Sequence, residues 1–333
     1  MNDHHAATLR SMAGLATPMA IRVAVTLGLP DRLRGNGATT EQVAAELELS
    51  ATALELLLGH LTMLDILERA DNLYRTTVFG SALCGDAGNG LTNFLHLDLA
   101  GGRAELAFTE LLHSVTTGTA GYARRYGQDF WADLTRNPHL RASFDQQMTD
   151  RFRDQIPRIV AAYDWSRYST LVDVGGGHGT LLAAVLTANP GLRGHLIDLD
   201  PTASEARHTF AAHGVADRVQ VTAASFFDPI PEGAQAYLLC DILHDWNDAH
   251  AHLILARCVR ALPPTGRLLI IEPVGGRHAG TEFDLAMLVI FGGRERRLDE
   301  FRALTAPHGL TLESVTDLTE QRCLLEFRRM PGD

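Results

Sequence analysis

The sequence predicts an α/β chain, with a mostly helical N-terminal part followed by a mainly parallel sheet covered by helices on both faces. Three observations predict it. From residue 170 onward, apolar runs of strand length alternate with helical patterns, and alternating βα units build parallel sheets. The run Leu171-Val172-Asp173-Val174 enters a glycine-rich turn, Gly175-Gly176-Gly177-His178-Gly179, and a helix starts straight after it at Leu181-Leu182-Ala183-Ala184-Val185-Leu186. An acidic residue, Asp198, closes the next apolar run 23 residues beyond Gly175. That is near the spacing of about 20 that brings a carboxylate to a ribose.

Together these read as a Rossmann-like βαβ nucleotide-binding unit. Gly175, Gly177 and Gly179 leave no side chains in the way of a bulky ligand. The glycines read G-x-G-x-G, not the dinucleotide G-x-G-x-x-G. An adenosine whose tail carries no phosphate, such as S-adenosylmethionine, therefore fits better than a pyrophosphate.

With 333 residues there is room for two domains. A chain 46% hydrophobic and 21% charged is that of an ordinary soluble protein. The net charge of −11 argues against nucleic acid as a partner. Met1-Asn2-Asp3-His4-His5 opens no apolar signal segment, and no run reaches the ~20 residues of a membrane helix. The cysteines, Cys84, Cys240, Cys258 and Cys323, form no C-x-x-C. Reduced thiols and a cytoplasmic location are expected.

In chain order, 6–28 reads as one helix, with Leu9, Met12, Leu15, Met19, Ile21, Val23, Val25 and Leu27 spread over more than one face. A helix apolar all round is buried, here against a second subunit or against its own domain. Gly28-Leu29-Pro30-Asp31 breaks it. Thr39 and Gln42 have capping-box spacing at the head of a short helix. Another helix runs from Ser50 to about Ile66, and two short strands flank an Asp71-Asn72 turn. This order is that of a winged helix, but its would-be recognition helix holds no Lys or Arg. Phosphate contacts need cations, so the module reads as a packing or dimerisation domain. Residues 91–165 look helical, with breaks at Gly101-Gly102, around Gly118–Gly121 and at Asn137-Pro138. Trp131, Phe144 and Met148 there are candidates for a pocket wall, plain core being the alternative. Strands are expected at 170–174, 194–198, 218–223, 235–241 and 267–272. An antiparallel edge hairpin follows at 311–317 and 322–328. Helices are expected at 179–188, 202–213, 249–262 and 299–307.

Ligands of open α/β sheets bind beyond the carboxyl ends of the strands. Those ends deliver Asp173 and Gly175, then Asp198, then Ser225-Phe226-Phe227-Asp228, then Asp241 and His244, then Glu272. Asp198 can accept from ribose hydroxyls, Phe226 can cover an adenine and Ser225 can bond its edge. His244 is the one group in this set suited to taking a proton near pH 7, and Glu272 can orient its imidazole. A structural histidine is the alternative, since Asp245 and Asp248 follow. Neighbouring histidines at 250 and 252 face different ways on a helix, and no metal is expected.

Val172-Asp173-Val174-Gly175-Gly176-Gly177, Ile197-Asp198-Leu199, Ser225-Phe226-Phe227-Asp228-Pro229, Ile242-Leu243-His244-Asp245-Trp246-Asn247-Asp248 and Gly292-Gly293-Arg294-Glu295-Arg296 resemble the S-adenosylmethionine-dependent small-molecule O-methyltransferases, of the plant caffeate and flavonoid type and the bacterial antibiotic-tailoring type. The resemblance covers most of the chain. It implies a Rossmann-like class I methyltransferase domain at 166–333, a winged-helix dimerisation domain at 1–90 and a helical connecting segment at 91–165 that walls the substrate pocket. It implies His244 as general base flanked by Glu272 and Glu295, and a homodimer. S-adenosylmethionine would lie against Asp173, Gly175, Gly177, Asp198, Leu199, Ser225, Phe226 and Asp241. An aromatic acceptor would lie against Trp131, Phe144, Met148, Asp245, Met287, Ile290 and Phe291, and its hydroxyl would take the methyl group in one in-line displacement. Three departures stand out: Ala224-Ser225-Phe226 replaces a common Gly-Asp-Phe, Asp200 replaces a proline, and Cys240 replaces a Lys or Arg seen in some relatives. The rival readings are an N- or C-methyltransferase, for example on a 2-oxo acid, a family member that binds the cofactor without transferring methyl, and a winged-helix regulator.

Overall fold

The computed structural model describes residues 2–277 and 280–330. The outermost bounds of the expected domains, residue 1 and residues 331–333, lie outside them. The chain divides into two compact units, one made of 1–106 with 134–150 and one of 107–133 with 151–333.

In the first unit the helix expected over 6–28 is two helices, Asn2–Ala13 and Ala16–Thr26. The cause is Pro18. Its ring would clash with the carbonyl of Gly14 in a continuous helix, so the helix restarts with Pro18 in its first turn. Nor is the stretch buried all round: Ala24 and Val25 are buried, while Leu9, Met12 and Leu15 are 65–77% exposed.

Thr39 makes both legs of its capping box. Its hydroxyl accepts from Gln42 N at 3.3 Å, and Gln42 Oε1 accepts from Thr39 N at 2.8 Å. Ser50 caps the helix Ala51–Met63. That helix stops short of Ile66 because Asp65 turns left-handed (φ +56°) and Ile66 N bonds back to Leu61 O at 3.1 Å, a helix-closing pattern. Strands β1 (Leu67–Ala70) and β2 (Leu73–Thr76) pair antiparallel around Asp71, completing the winged-helix order. Leu29, Leu33, Val43, Leu54, Leu58, Leu61 and Tyr74 form its core.

Gly101-Gly102 does not break a helix; both residues lie inside Ala100–Leu106. They are glycines for closeness: a Cβ on Gly102 would stand 2.0 Å from His96 O. The breaks at Gly118 (φ +69°) and at Asn137, between Phe130–Arg136 and Pro138–Arg153, are as expected.

The second unit is built on a seven-stranded sheet. Its strands are β3 (Thr170–Val174), β4 (Arg193–Asp198), β5 (Val219–Ala223), β6 (Ala236–Cys240), β7 (Arg267–Glu272), β8 (Leu310–Asp317) and β9 (Cys323–Arg329). The order is β5-β4-β3-β6-β7-β9-β8, with β3 to β7 parallel and β8 and β9 antiparallel. Every expected strand is present within about two residues. The hairpin, however, is an edge only through β8. β9 inserts between β7 and β8, so Leu324, Leu325 and Phe327 are fully buried. The helices Thr180–Ala188, Thr202–Ala212, Asp248–Ala261 and Leu298–Thr305 follow the expected pattern. Two cores form, one holding Leu239, Ile254, Leu255, Ile270 and Phe301, the other Leu182, Leu186, Phe210, Leu238 and Leu269. Strand order reverses at β3, whose neighbours are β4 and β6, so a crevice opens at the carboxyl ends of β3 and β6. Among the described residues no helix is long and apolar enough to cross a membrane.

Gly102→Ala is expected to destabilise the protein by about 2–3 kcal/mol, because backbone must move to admit one methyl. A urea midpoint equal to that of the wild type would refute so close an approach.

Candidate active site

The crevice is shaped first by its glycines. Gly175 turns left-handed (φ +77°), and a Cβ there would meet Ile242 Cδ1 at 2.5 Å. Gly175 N and Gly176 N both donate to Ile197 O, at 2.8 and 3.3 Å, which ties the turn to β4. Gly177 (φ +59°) faces open space. Its amide donates to Asp198 Oδ2 and that of Leu199 to Oδ1, both at 2.7 Å. The Asp198 carboxylate is thereby fixed at the end of β4. Leu199 is partly exposed beside it.

Asp173 is buried at the end of β3 with no hydrogen-bond partner for Oδ1. Burial, then the charge of Asp198, raises it to about 7. Phe226 stands edge-on to Phe227 and to Trp246, with ring centroids 5.0 and 6.0 Å away. Ser225 Oγ accepts from Phe227 N at 3.2 Å. Asp241 has a partner that the sequence did not suggest. Arg322, from the turn into β9, bonds both of its oxygens, Nε at 2.9 Å and Nη2 at 2.5 Å. Burial alone would raise Asp241, but Arg322 holds it well below the usual carboxylate range. Its left-handed backbone (φ +51°) turns the chain out of β6 toward His244.

His244 sits in a single 3-10 turn, Leu243–Asp245, and is buried. Glu295 Oε1 lies 2.9 Å from its Nδ1. A carboxylate only accepts, so Nδ1 carries a hydrogen and the neutral ring would present its lone pair at Nε2. The nearest charged group to Nε2 is Asp245, at 3.5 Å. Glu272 does not take the place expected for it. Its Oε1 accepts the main-chain amides of Ile242, Leu243 and His244, at 3.2, 2.5 and 3.3 Å. It holds the turn from below, and Glu295 holds the ring. Burial would lower the His244 pKa, but Asp245, Glu295 and Asp241 outweigh it and raise it to about 10. Burial lifts Asp245 and Glu272 to about 7 each.

The aromatic wall lies on two helices of the same unit. Trp131 stacks on Phe291 (5.5 Å, 22°) and lies nearly parallel to Trp246 (6.3 Å, 15°). Met287 and Ile290 are buried on the helix Thr281–Phe291, which also sets Phe283 5.9 Å from the His244 ring. Phe144 and Met148 belong to the first unit, on Pro138–Arg153. Sequence reasoning missed Arg322, Arg296, Trp246 and Phe283 as parts of the site. Arg296 and Trp246 stood inside quoted motifs, whereas nothing near Arg322 or Phe283 signals a destination. Among the described residues no group of three or more His, Cys, Asp or Glu could hold a metal ion.

A seven-stranded sheet of this order, with a glycine turn at the switch point and a carboxylate at the end of β4, defines the class I S-adenosylmethionine-dependent methyltransferase fold. Residues 108–311 match the family model of the O-methyltransferase domain, and residues 9–86 match that of the O-methyltransferase dimerisation domain. The chain belongs to the O-methyltransferase family. It is similar to the 2,7-dihydroxy-5-methyl-1-naphthoate 7-O-methyltransferase of Streptomyces carzinostaticus, at 44% identity over 92% of this chain and 93% of that one. It is also similar to the aclacinomycin 10-hydroxylase RdmB of Streptomyces purpurascens, at 40% identity over 96% and 89%. Among solved structures it resembles the O-methyltransferase NcsB1 from neocarzinostatin biosynthesis, in complex with S-adenosylmethionine and 2-hydroxy-5-methyl naphthoic acid. There the TM-score is 0.92 at 41% identity, covering 97% of this chain and 98% of that one.

The His244 imidazole is expected to titrate well above 6.5, the ordinary value for histidine, in 15N-histidine NMR of the ligand-free protein. Glu295→Gln removes a negative neighbour and should lower that value. An imidazole titrating at or below 6.5 in the wild type would contradict the reading of its three carboxylate neighbours.

Proposed function

We propose that this enzyme, an S-adenosylmethionine-dependent O-methyltransferase, methylates a hydroxyl of a small aromatic natural product, with His244 as general base. The observation that carries the reading is the buried imidazole held at Nδ1 by Glu295, with Asp245 Oδ1 3.5 Å from Nε2.

The rim fits the methyl donor. Asp198 offers a fixed carboxylate to ribose hydroxyls, Gly177 leaves room that a side chain would fill, and the buried Asp173 Oδ1 is unpartnered. Gly175, Leu199, Ser225 and Phe226 complete the proposed donor site, with Asp241 acting beside it through its pair with Arg322. When bound, S-adenosylmethionine supplies a methyl group on a positively charged sulfur, open to in-line displacement by an acceptor oxygen. His244 takes the hydroxyl proton at Nε2. A phenol near pKa ~10 is almost fully protonated at neutral pH, so a placed base contributes about 10²–10⁴-fold. Glu295 keeps the hydrogen on Nδ1 and stabilises the imidazolium that forms. Asp245 stands beside Nε2, where a second polar group of the acceptor can bond. Trp131, Met287, Ile290 and Phe291 support a flat apolar ring, with Phe144 and Met148 retained as wall candidates.

The remaining assignments rest on the sequence. Residues 1–90 serve dimerisation, 91–165 supply wall residues such as Trp131, and 166–333 carry donor binding and chemistry. The exposed Leu9, Met12 and Leu15 within or beside the dimerisation match support a homodimer. The helix Ala51–Met63 carries no Lys or Arg, and its Glu55 is engaged by Thr40, Arg69 and Tyr74, which supports packing and not nucleic-acid contact. The cytoplasm is the proposed site of action.

One second reading has a specific observation behind it: the relative at 40% identity is named a hydroxylase. The two readings differ in product mass, by a gain of CH2 against a gain of one oxygen atom. The intact His244–Glu295 pair favours methyl transfer.

His244→Ala should bind S-adenosylmethionine as the wild type does in calorimetry and lose turnover by about 10²-fold or more on a phenolic acceptor. Near-wild-type turnover would remove His244 from the role of base. Asp198→Ala should instead lose donor binding itself. Retained micromolar affinity in that variant would show that the ribose is held elsewhere.

A further inference from the structure

The turn that carries His244 has little to hold it by itself. A single 3-10 turn fixes several dihedral angles for one or two hydrogen bonds. Here those bonds are Asp245 N to Ile242 O at 3.3 Å and Trp246 N to Leu243 O at 3.2 Å. Its stability comes from outside, and from both ends.

At the N-terminal end Glu272 gathers three amides. At the C-terminal end stands Arg296, fully buried. Its Nη1 donates to Leu243 O at 2.6 Å and its Nη2 to Trp246 O at 2.8 Å. Nη2 and Nε also reach Asp248 Oδ1, at 2.8 and 3.2 Å. An anion at the amide end and a cation at the carbonyl end is the arrangement that the peptide dipoles favour. The adjoining main chain closes on the same turn, with Arg294 N donating to His244 O at 2.9 Å. A Cβ on Gly293 would stand 2.0 Å from that oxygen. One segment, 293–296, thus holds the His244 carbonyl, the His244 ring and the carbonyls of Leu243 and Trp246.

We propose that Arg296 is a positioning residue for methyl transfer, fixing the His244 turn against Glu295 through the carbonyls of Leu243 and Trp246. This rests on the reading of His244 as the base. Arg296 itself is fully buried and bonds main-chain carbonyls and Asp248. Its planar fork is what reaches two carbonyls and a carboxylate at once, and a lysine ammonium cannot reproduce that.

The test is Arg296→Lys, which keeps the charge, with His244→Ala as control. Arg296→Lys should lower kcat roughly 10- to 100-fold, the scale of a small misplacement. The S-adenosylmethionine Kd and the acceptor KM should stay within about 3-fold of wild type by the same argument. The His244 imidazole should titrate lower by NMR as its contact with Glu295 loosens. Wild-type kcat in this variant would overturn the proposal. So would a fall in kcat and melting temperature together with a rise in KM and Kd, which marks a merely structural residue. If Arg296→Lys does not fold, Asp248→Asn decides, because it loosens the same guanidinium from a half-exposed partner. A several-fold loss of kcat with donor binding kept supports the proposal, and an unchanged kcat overturns it. Full activity in His244→Ala would instead defeat the base assignment, which is a separate result.

Discussion

The carboxylate of Glu272, buried beneath three main-chain amides, is the constraint on which the rest of the site depends. An uncompensated buried carboxylate is costly, and here amides at the mouth of a turn satisfy one of its two oxygens, while burial still lifts it to about 7. Sheet register makes this contact available. Cys240 on β6 pairs with Ile271 on β7, so the strand end at Glu272 lies beside the chain that leaves β6 through Asp241. From there, Asp241 bonds Arg322, Arg296 closes the far end of the turn, and Glu295 meets the imidazole. A change at any one of these points moves the others, because each charge is desolvated and has few alternative partners.

The same arrangement sets the charge of the site. Burial is the main cause that lifts Asp173, Asp245 and Glu272 to about 7 each, with neighbouring carboxylates adding to it. The carboxylates of Asp245, Glu295 and Asp241 outweigh burial at His244 and favour a proton on its ring. A positive charge brought beside the imidazole acts in the opposite direction and weakens its hold on that proton.

Much of this was legible in the sequence. The seven strands, the glycine turn and Asp198 follow from period and spacing, and the capping box at Thr39 is local chemistry that no tertiary contact overrides. The helix expected over 6–28 went wrong at Pro18, because hydrophobic spread was weighed and the missing amide was not. Gly101-Gly102 read as punctuation because a sequence does not distinguish a glycine that bends from one that lets His96 approach. Glu272 was placed in the right crevice but on the wrong partner. Whether a carboxylate bonds a ring or the amides beneath it depends on positions of a few ångströms that no spacing encodes. Arg322 lies 81 residues from Asp241, and only the insertion of β9 beside β7 brings the two together.

Two kinds of contact meet around His244, buried charge and stacked rings. His244, Glu272 and Glu295 are placed by strand ends and by the segment 292–297, and they meet through buried polar contacts. The aromatic wall stands on the helices Phe130–Arg136 and Thr281–Phe291, where Trp131, Phe291 and Trp246 meet through ring faces and not through charge. Ring contacts tolerate changes of size and tilt that a buried ion pair does not. Substitutions among the rings are therefore tolerated more readily than substitutions among the buried charges, where His244 has Glu295 on Nδ1 and its turn has Glu272 and Arg296 at its two ends.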